Sequence, residues 1–226
     1  MGVGEYINYG SEVGFGEAPP YDLIYQILSK WKFGPEKVGF SKIDYIADSD
    51  ATKSNILQEI ASTFSEADEN DISYFYFGGH GGKDGNIYYI CPTDMTSSVN
   101  SQITVNELEE SLSVVPGTKV VIIDSCYSGG FISLFTADCY QVLTSCTSNQ
   151  ICFPINSGGN TMGAFTAALI GGCGYYYSDF PADSNSNGEV TLEEAYLYVK
   201  DEISSWGLTQ DVQVYPINST FVFAGY

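Results

Sequence analysis

A single α/β domain, with a mostly parallel sheet and helices on both faces, is what this sequence predicts. Three observations carry that prediction. β-forming runs alternate with helical apolar patterns along the whole chain. One run, Lys119 to Ile123 (KVVII), is unbroken apolar after its lysine, as a strand buried on both faces of a parallel sheet must be. No stretch is rich enough in Pro, Gly or Ser to separate domains, and there is no internal repeat, so residues 1–226 are read as one domain.

Taken in order, the first residues read as the tail of a strand whose start lies upstream. Lys42 to Ala47 (KIDYIA) alternates like a strand, and Ala51 to Phe64 follows with Ile56, Leu57, Ile60 and Phe64 on one helical face. Asp71 to Phe77 (DISYFYF) is rich in β-formers and ends at Gly78-Gly79. A short strand or hairpin is expected at Asn86 to Cys91. Thr104-Val-Asn-Glu107 is a capping box that opens a helix carrying Leu108 and Leu112. After KVVII, Cys139 to Thr144 reads as the next strand. Helices follow around Gly163 to Ile170 and Leu192 to Ser204, and Ser219 to Ala224 reads as a terminal strand.

Composition narrows the function. With 8 Lys+Arg against 28 Asp+Glu, the formal charge is −20, and every one of the basic residues is lysine. Such a surface repels duplex nucleic acid and anionic membrane and attracts cations, so neither nucleic acid nor membrane is expected as a partner. No apolar run approaches the roughly 18 residues of a membrane span, and Met1-Gly2-Val3-Gly4 lacks the regions of a signal peptide. A soluble monomer is expected, and the acidic, tyrosine-rich, arginine-free composition favours export over the cytoplasm. The cysteines, 91, 126, 139, 146, 152 and 173, include no C-x-x-C pair and no paired Cys/His spacing, which argues against structural zinc.

Two motifs fall just past the carboxyl ends of predicted buried strands, where a parallel sheet places its active site. They are Tyr76-Phe-Gly-Gly-His80-Gly-Gly82 and Asp124-Ser-Cys126-Tyr-Ser-Gly-Gly130. Hydrolysis by cysteine needs a thiolate, an imidazole to handle protons and backbone N–H groups aimed at the developing oxyanion. His80, the single histidine, and Cys126 fit the first two roles, and the N–H groups of Gly81 and Cys126 fit the third. Alone, a histidine is more often a packed residue and a cysteine a small core residue. Two such motifs at strand ends, in the order His then Cys, favour catalysis.

These motifs resemble those of the caspase-like cysteine peptidases, in particular the metacaspase and clostripain-like branch. Gly79-His80-Gly81 and Asp124-Ser125-Cys126-Tyr127-Ser128-Gly129 match that branch almost letter for letter, and Gly4-Glu5-Tyr6 resembles the end of its first strand. The resemblance implies a caspase-like three-layer sandwich, Cys126 as nucleophile and His80 as general acid/base without a necessary third carboxylate. It implies further that Asp124 is a floor residue of the S1 pocket. A second pocket Asp is expected where Asp22 stands, although Asp22 is equally a helix-start residue favoured by the macrodipole. The chain departs from the pattern at Gly78, where a Ser often stands, and in lacking a long variable segment after the nucleophile. Peptidases that cut after Asp use arginines to hold that carboxylate. A chain without arginine and with an acidic pocket is instead expected to take a protein or peptide substrate with Lys or Arg at P1. Between Lys119 and Lys200 there is no basic residue, so self-cleavage in the Tyr127–Asp138 segment after the nucleophile is excluded and activity is expected from the uncleaved chain. Lys83, in a glycine-flanked turn, is the basic site expected to be most exposed.

Residues 183–194 fit the calcium-loop pattern D-x-[DN]-x-[DN]-G-x₅-E. Asp183, Asn185, Asn187 and Glu194 would bind Ca²⁺ through side chains and Glu189 through its carbonyl, as structural support. Thr191-x-x-Glu194 is also a capping box, which would give Glu194 a purely structural role. The competing functional reading is a non-catalytic, acidic, calcium-binding interaction module on a caspase-like frame.

Overall fold

The structure, a computed structural model, describes residues 1–9, 21–157, 160–174 and 180–226. Its elements are α1 (Tyr21–Leu28), α2 (Lys53–Thr63), β1 (Ile72–Gly78), β2 (Gly81–Asp84), β3 (Ile87–Ile90), β4 (Ile103–Thr104), α3 (Val105–Ser113), β5 (Thr118–Asp124), β6 (Tyr140–Thr144), β7 (Pro154–Ser157), β8 (Asn160–Gly163), α4 (Ala164–Gly172), β9 (Glu189–Thr191), α5 (Leu192–Ser205), β10 (Gln213–Tyr215) and β11 (Val222–Gly225).

The central sheet has the order β1-β5-β6-β10, with β1, β5 and β6 parallel and β10 antiparallel. The KVVII strand thus lies inside the sheet, and its side chains divide between two cores. Val120 and Ile122 join Tyr76, Leu143 and the apolar faces of α1, α4 and α5. Val121 and Ile123 join Phe75, Phe77, Val142 and the faces of α2 and α3. This alternation across the pleat makes the three layers. α4 is apolar all round and wholly buried, whereas α2, α3 and α5 bury one face only.

Helix starts follow the sequence signals. Thr104 with Glu107 and Thr191 with Glu194 both form complete capping boxes, and Thr52 caps α2 by accepting from the Asn55 N–H. The N-terminal stretch runs beside β1, where Val3 N–H donates to Gly78 O at 2.9 Å and Gly78 N–H to Met1 O at 3.1 Å.

Two expectations differ from the structure, at Lys42–Ala47 and at Lys83. Lys42–Ala47 forms no strand; its one bridge pairs Ala47 with Gly2. A cavity of about 470 Å³ separates Ser41–Tyr45 from the Ile72–Tyr76 edge, so the alternating side chains line a space and the backbone has no ladder to join. The expected terminal strand is present as β11, which pairs with β9, while β10 takes the sheet's edge beyond β6. Lys83 lies within β2 opposite Tyr88, half-buried, with its ammonium donating to Asn149 Oδ1 at 2.7 Å and standing 5.3 Å from the Tyr127 ring centre. The turn is at Gly85, whose positive φ of 58° suits glycine. The hairpin β7–β8 and the strand β10 lacked a sequence signal.

Truncation of Ile123, fully buried between β1 and β6, to alanine is expected to cost about 2–5 kcal/mol in denaturant unfolding. Val114→Ala, at an exposed helix end, should stay within about 0.5 kcal/mol.

Candidate active site

Strands β1 and β5 end level with one another: Gly78 pairs with Asp124, and Gly79 N–H donates to Asp124 O at 3.1 Å. The loops that follow therefore leave the same end of the sheet side by side. Gly81 packs so closely on the second loop that a Cβ there would stand 2.5 Å from Ser125 Oγ and 2.7 Å from Cys126 O, and only glycine fits. Gly81 opens the β2–β3 ladder opposite Ile90, with Cys91 N–H donating to His80 O at 2.9 Å. That bond marks Gly81 as a non-hydrogen-bonded position of the ladder, so its own N–H faces away from β3.

His80 is held by Tyr6 of the N-terminal stretch. Its backbone N–H donates to the buried Tyr6 hydroxyl at 2.7 Å, and the two rings lie 5.1 Å apart. Burial drives the Tyr6 hydroxyl well above its ordinary range, so it stays protonated.

Cys126 is half-buried at a sharp turn. Ser125 N–H donates to Ser145 Oγ, and Tyr127 adopts the left-handed conformation at φ 61°, with its N–H fixed on Gln150 O at 2.8 Å. A non-glycine residue there costs about 1–2 kcal/mol, which the surrounding hydrogen bonds must offset. Cys126 Sγ lies 3.7 Å from Cys152 Sγ. The Cys152 thiol donates to it, and with the Cys152 backbone N–H brings the Cys126 thiol down from 9.0 to about 7 against the effect of burial. Cys152, which must keep its proton to donate and is buried, is pushed up.

Asp124 is buried and held by a residue more than forty positions further along the chain. Its Oδ2 accepts from the Thr166 hydroxyl at 2.5 Å and the Thr166 N–H at 3.2 Å. Gly163 is the N-cap of α4 and Thr166 its third residue, so a carboxylate from β5 replaces the cap that glycine lacks. Since the Thr166 proton goes to Asp124, the Tyr76 hydroxyl must donate to Thr166 Oγ1, 2.8 Å away. Side chains at two glycines would break this network: a Cβ on Gly163 would run into Asp124 Oδ2, and one on Gly78 would stand 2.6 Å from the Tyr76 hydroxyl. That explains the departure at Gly78. Asp124 Oδ1 has no hydrogen-bond partner among the described residues. Burial pushes the Asp124 carboxyl up, and the two Thr166 bonds, with a smaller effect of the Ser145 hydroxyl, work against it.

Asp22 lies in the first turn of α1, and its side chain falls outside what is described. The 183–194 loop is far along the chain and closes on itself. Asp183 accepts from the N–H groups of Asn187 and Gly188 and from the Tyr226 hydroxyl. Asn187 Oδ1 accepts from Glu189 N–H. Glu194 gives Oε2 to the Thr191 capping box and Oε1 to Ser184 and Asn185. Among the described residues no three His, Cys, Asp or Glu side chains converge as metal ligands. These oxygens are engaged in a turn and a helix cap.

The caspase domain family matches residues 21–219. The chain belongs to the caspase-domain family of cysteine peptidases. It is 34% identical over 98 residues to metacaspase-1 of Ajellomyces capsulatus (strain NAm1 / WU24), a match covering 38% of this chain and 27% of that relative. Its fold is similar to that of caspase-1 from Spodoptera frugiperda, with a TM-score of 0.60 at 13% identity over 100% of this chain and 89% of the other. The caspase-like fold and the family both agree with the resemblance seen in the two motifs. No helix among the described residues is long and apolar enough to cross a membrane.

Because the Cys126 thiol sits below its ordinary value, the thiolate is gained as pH rises through about 7. Alkylation of Cys126 by iodoacetamide should therefore rise with a midpoint near pH 7, and Cys152→Ala should move that midpoint upward by removing the donor. Stopped alkylation at several pH values, read by mass at Cys126, measures both.

Proposed function

We propose that this caspase-domain chain is a cysteine endopeptidase that cleaves after lysine or arginine, acting as an uncleaved monomer. The observation that carries the specificity is Asp124: a buried carboxylate two residues before the nucleophile, with one oxygen spent on α4 and the other without a partner among the described residues. A buried charged acceptor of this kind gains most from a cationic side chain that brings N–H donors. In a chain of formal charge −20 without arginine, nothing favours an acidic P1 residue.

In the proposed mechanism the Cys126 thiolate attacks the scissile carbonyl carbon. Negative charge develops on the carbonyl oxygen, where the N–H groups of Gly81 and Cys126 receive it. His80 protonates the leaving amine and then takes a proton from the water that releases the acyl group. The glycines around His80 keep the cleft open to a peptide backbone.

Substitution separates these roles. Cys126→Ala should abolish turnover of a lysine-P1 fluorogenic peptide, and His80→Ala should lower it on the order of 10²-fold or more. Asp124→Asn keeps an acceptor for Thr166 and so keeps the α4 cap, while it removes the charge. It should lower kcat/KM for basic P1 substrates about 10- to 100-fold and leave the melting temperature nearly unchanged. Efficient cleavage after Asp or Glu would overturn the pocket assignment. Native mass spectrometry of freshly active enzyme should show one intact chain, because Tyr127–Asp138 contains no basic residue to cut.

Calcium enters this proposal as a stabiliser of the 183–194 loop alone. Binding would require the hydrogen bonds to Asp183 and Glu194 to be exchanged for metal contacts, and the net effect is read by melting. Millimolar calcium should raise the melting temperature of the wild type and not of Asp183→Ala; an unchanged curve leaves Glu194 as a helix cap only.

A further inference from the structure

We propose that Cys126 and Cys152 form a reversible disulfide when a hydroperoxide reaches the site. The bond itself depends only on the two thiols; its consequence for activity rests on the reading of Cys126 as the nucleophile.

Geometry selects the pair. Their 3.7 Å separation is the only sulfur–sulfur contact within hydrogen-bonding reach among the described residues, and all the cysteines are free thiols. Reaching a bond length near 2.05 Å takes a movement of about 1.7 Å, which side-chain rotation and a small loop shift supply. The partner is kept in place from both sides. Gln150 O holds the Tyr127 N–H, Phe153 N–H donates to Gln210 Oε1 at 2.7 Å, and Phe153 O accepts from Ala164 N–H at 2.8 Å. Other nearby thiols are otherwise engaged. Cys146 donates to the carbonyls of Ser125 and Gln150, and Cys91, buried, is pushed up to about 12.

Access sets the order of events. Cys126 is half-exposed and is met first, whereas Cys152 is only 7% exposed. The lowered Cys126 thiol supplies the attacking thiolate near neutral pH. Its sulfur attacks one peroxide oxygen: an S–O bond forms, the O–O bond breaks, and hydroxide leaves and is protonated to water. Cys152 sulfur then attacks the Cys126 sulfenic acid. The S–S bond forms, the S–O bond breaks, and the departing hydroxide takes the Cys152 proton as a second water. Two thiols lose two electrons in all, and one hydrogen peroxide becomes two waters. Once closed, the disulfide removes the thiolate from the site and blocks its further oxidation to sulfinic acid. A thiol reductant reverses it.

The test is mass mapping of the full chain after brief hydrogen peroxide treatment, alkylation of remaining thiols and non-reducing digestion. Chymotrypsin is needed because trypsin has no site between Lys119 and Lys200. Wild type and Cys146→Ala should each yield a linked pair of peptides carrying Cys126 and Cys152, with two hydrogens lost. Cys152→Ala should yield none, and its Cys126 should gain two or three oxygens. Activity should return with dithiothreitol in the wild type and not in Cys152→Ala. Direct over-oxidation of wild-type Cys126 without a linked peptide, or a link to Cys91 or Cys146, overturns the proposal. The mass readout needs no turnover, so an untreated chain without peptidase activity would sink the proposed function and leave the disulfide to be judged separately.

Discussion

The site depends on one constraint, the register of the parallel ladder between β1 and β5. Because Gly78 faces Asp124 across that ladder, the chain leaves both strands at the same height, and the two glycine-rich loops meet there. Gly79 N–H on Asp124 O ties the first loop to the second, and the bare Cα of Gly81 lets it lie on Ser125 and Cys126. A slip of one residue would turn Phe75 and Phe77 toward the opposite core and carry His80 away from Cys126's loop at once. The close fit of differently shaped side chains in the two cores resists the slip. Core packing thereby fixes active-site geometry, which is why the apolar body of β5 matters to the chemistry at its end.

The same strand end carries a second obligation. Asp124 closes the N-terminus of α4 through Thr166, which itself takes a hydrogen bond from Tyr76 on β1. An ionised carboxylate in this position is costly to desolvate, and the helix N-terminus with two Thr166 donors offsets part of that cost. The cap uses a single oxygen. Holding a carboxylate rigidly by one oxygen and leaving the other without a partner is a poor arrangement for stability alone, since two donors or none would be better. It becomes favourable when a cation approaches the second oxygen, and this asymmetry is the physical basis of the proposed preference for lysine and arginine.

Legibility of the sequence followed the range of the interactions. The KVVII strand, the helix starts at Thr104 and Thr191 and the two strand-end motifs are encoded within a few residues, and each appears where the pattern placed it. KIDYIA misleads because alternation reports which way side chains face, and the absence of a neighbouring backbone cannot be read from it. The Thr166 bonds to Asp124, the Tyr6 support of His80 and the Cys152 contact link residues tens of positions apart, so no local pattern marks them. A signal did exist for Asp124: Gly163 opens α4 without a capping side chain, and the missing cap had to come from elsewhere. In the 183–194 loop the sequence is ambiguous for a different reason. Turn, helix cap and calcium shell all ask for oxygen-bearing side chains at the same spacings, so spacing alone does not choose among them.

Cys152 shows how one contact can serve two chemistries. To lower the Cys126 thiol, position 152 needs only a hydrogen-bond donor, and a serine hydroxyl would be a stronger donor than a thiol. A thiol there also brings a liability, because a sulfur within 3.7 Å of a reactive sulfur can be joined to it. What sulfur adds that oxygen cannot is the disulfide bond, which stores the nucleophile in a form that reductants recover. Burial keeps Cys152 from reacting first, and its fixed backbone keeps it within reach when Cys126 has reacted. The activating hydrogen bond and the protective covalent bond thus share one geometry, and a substitution that preserves the first while deleting the second, Cys152→Ser, separates them chemically.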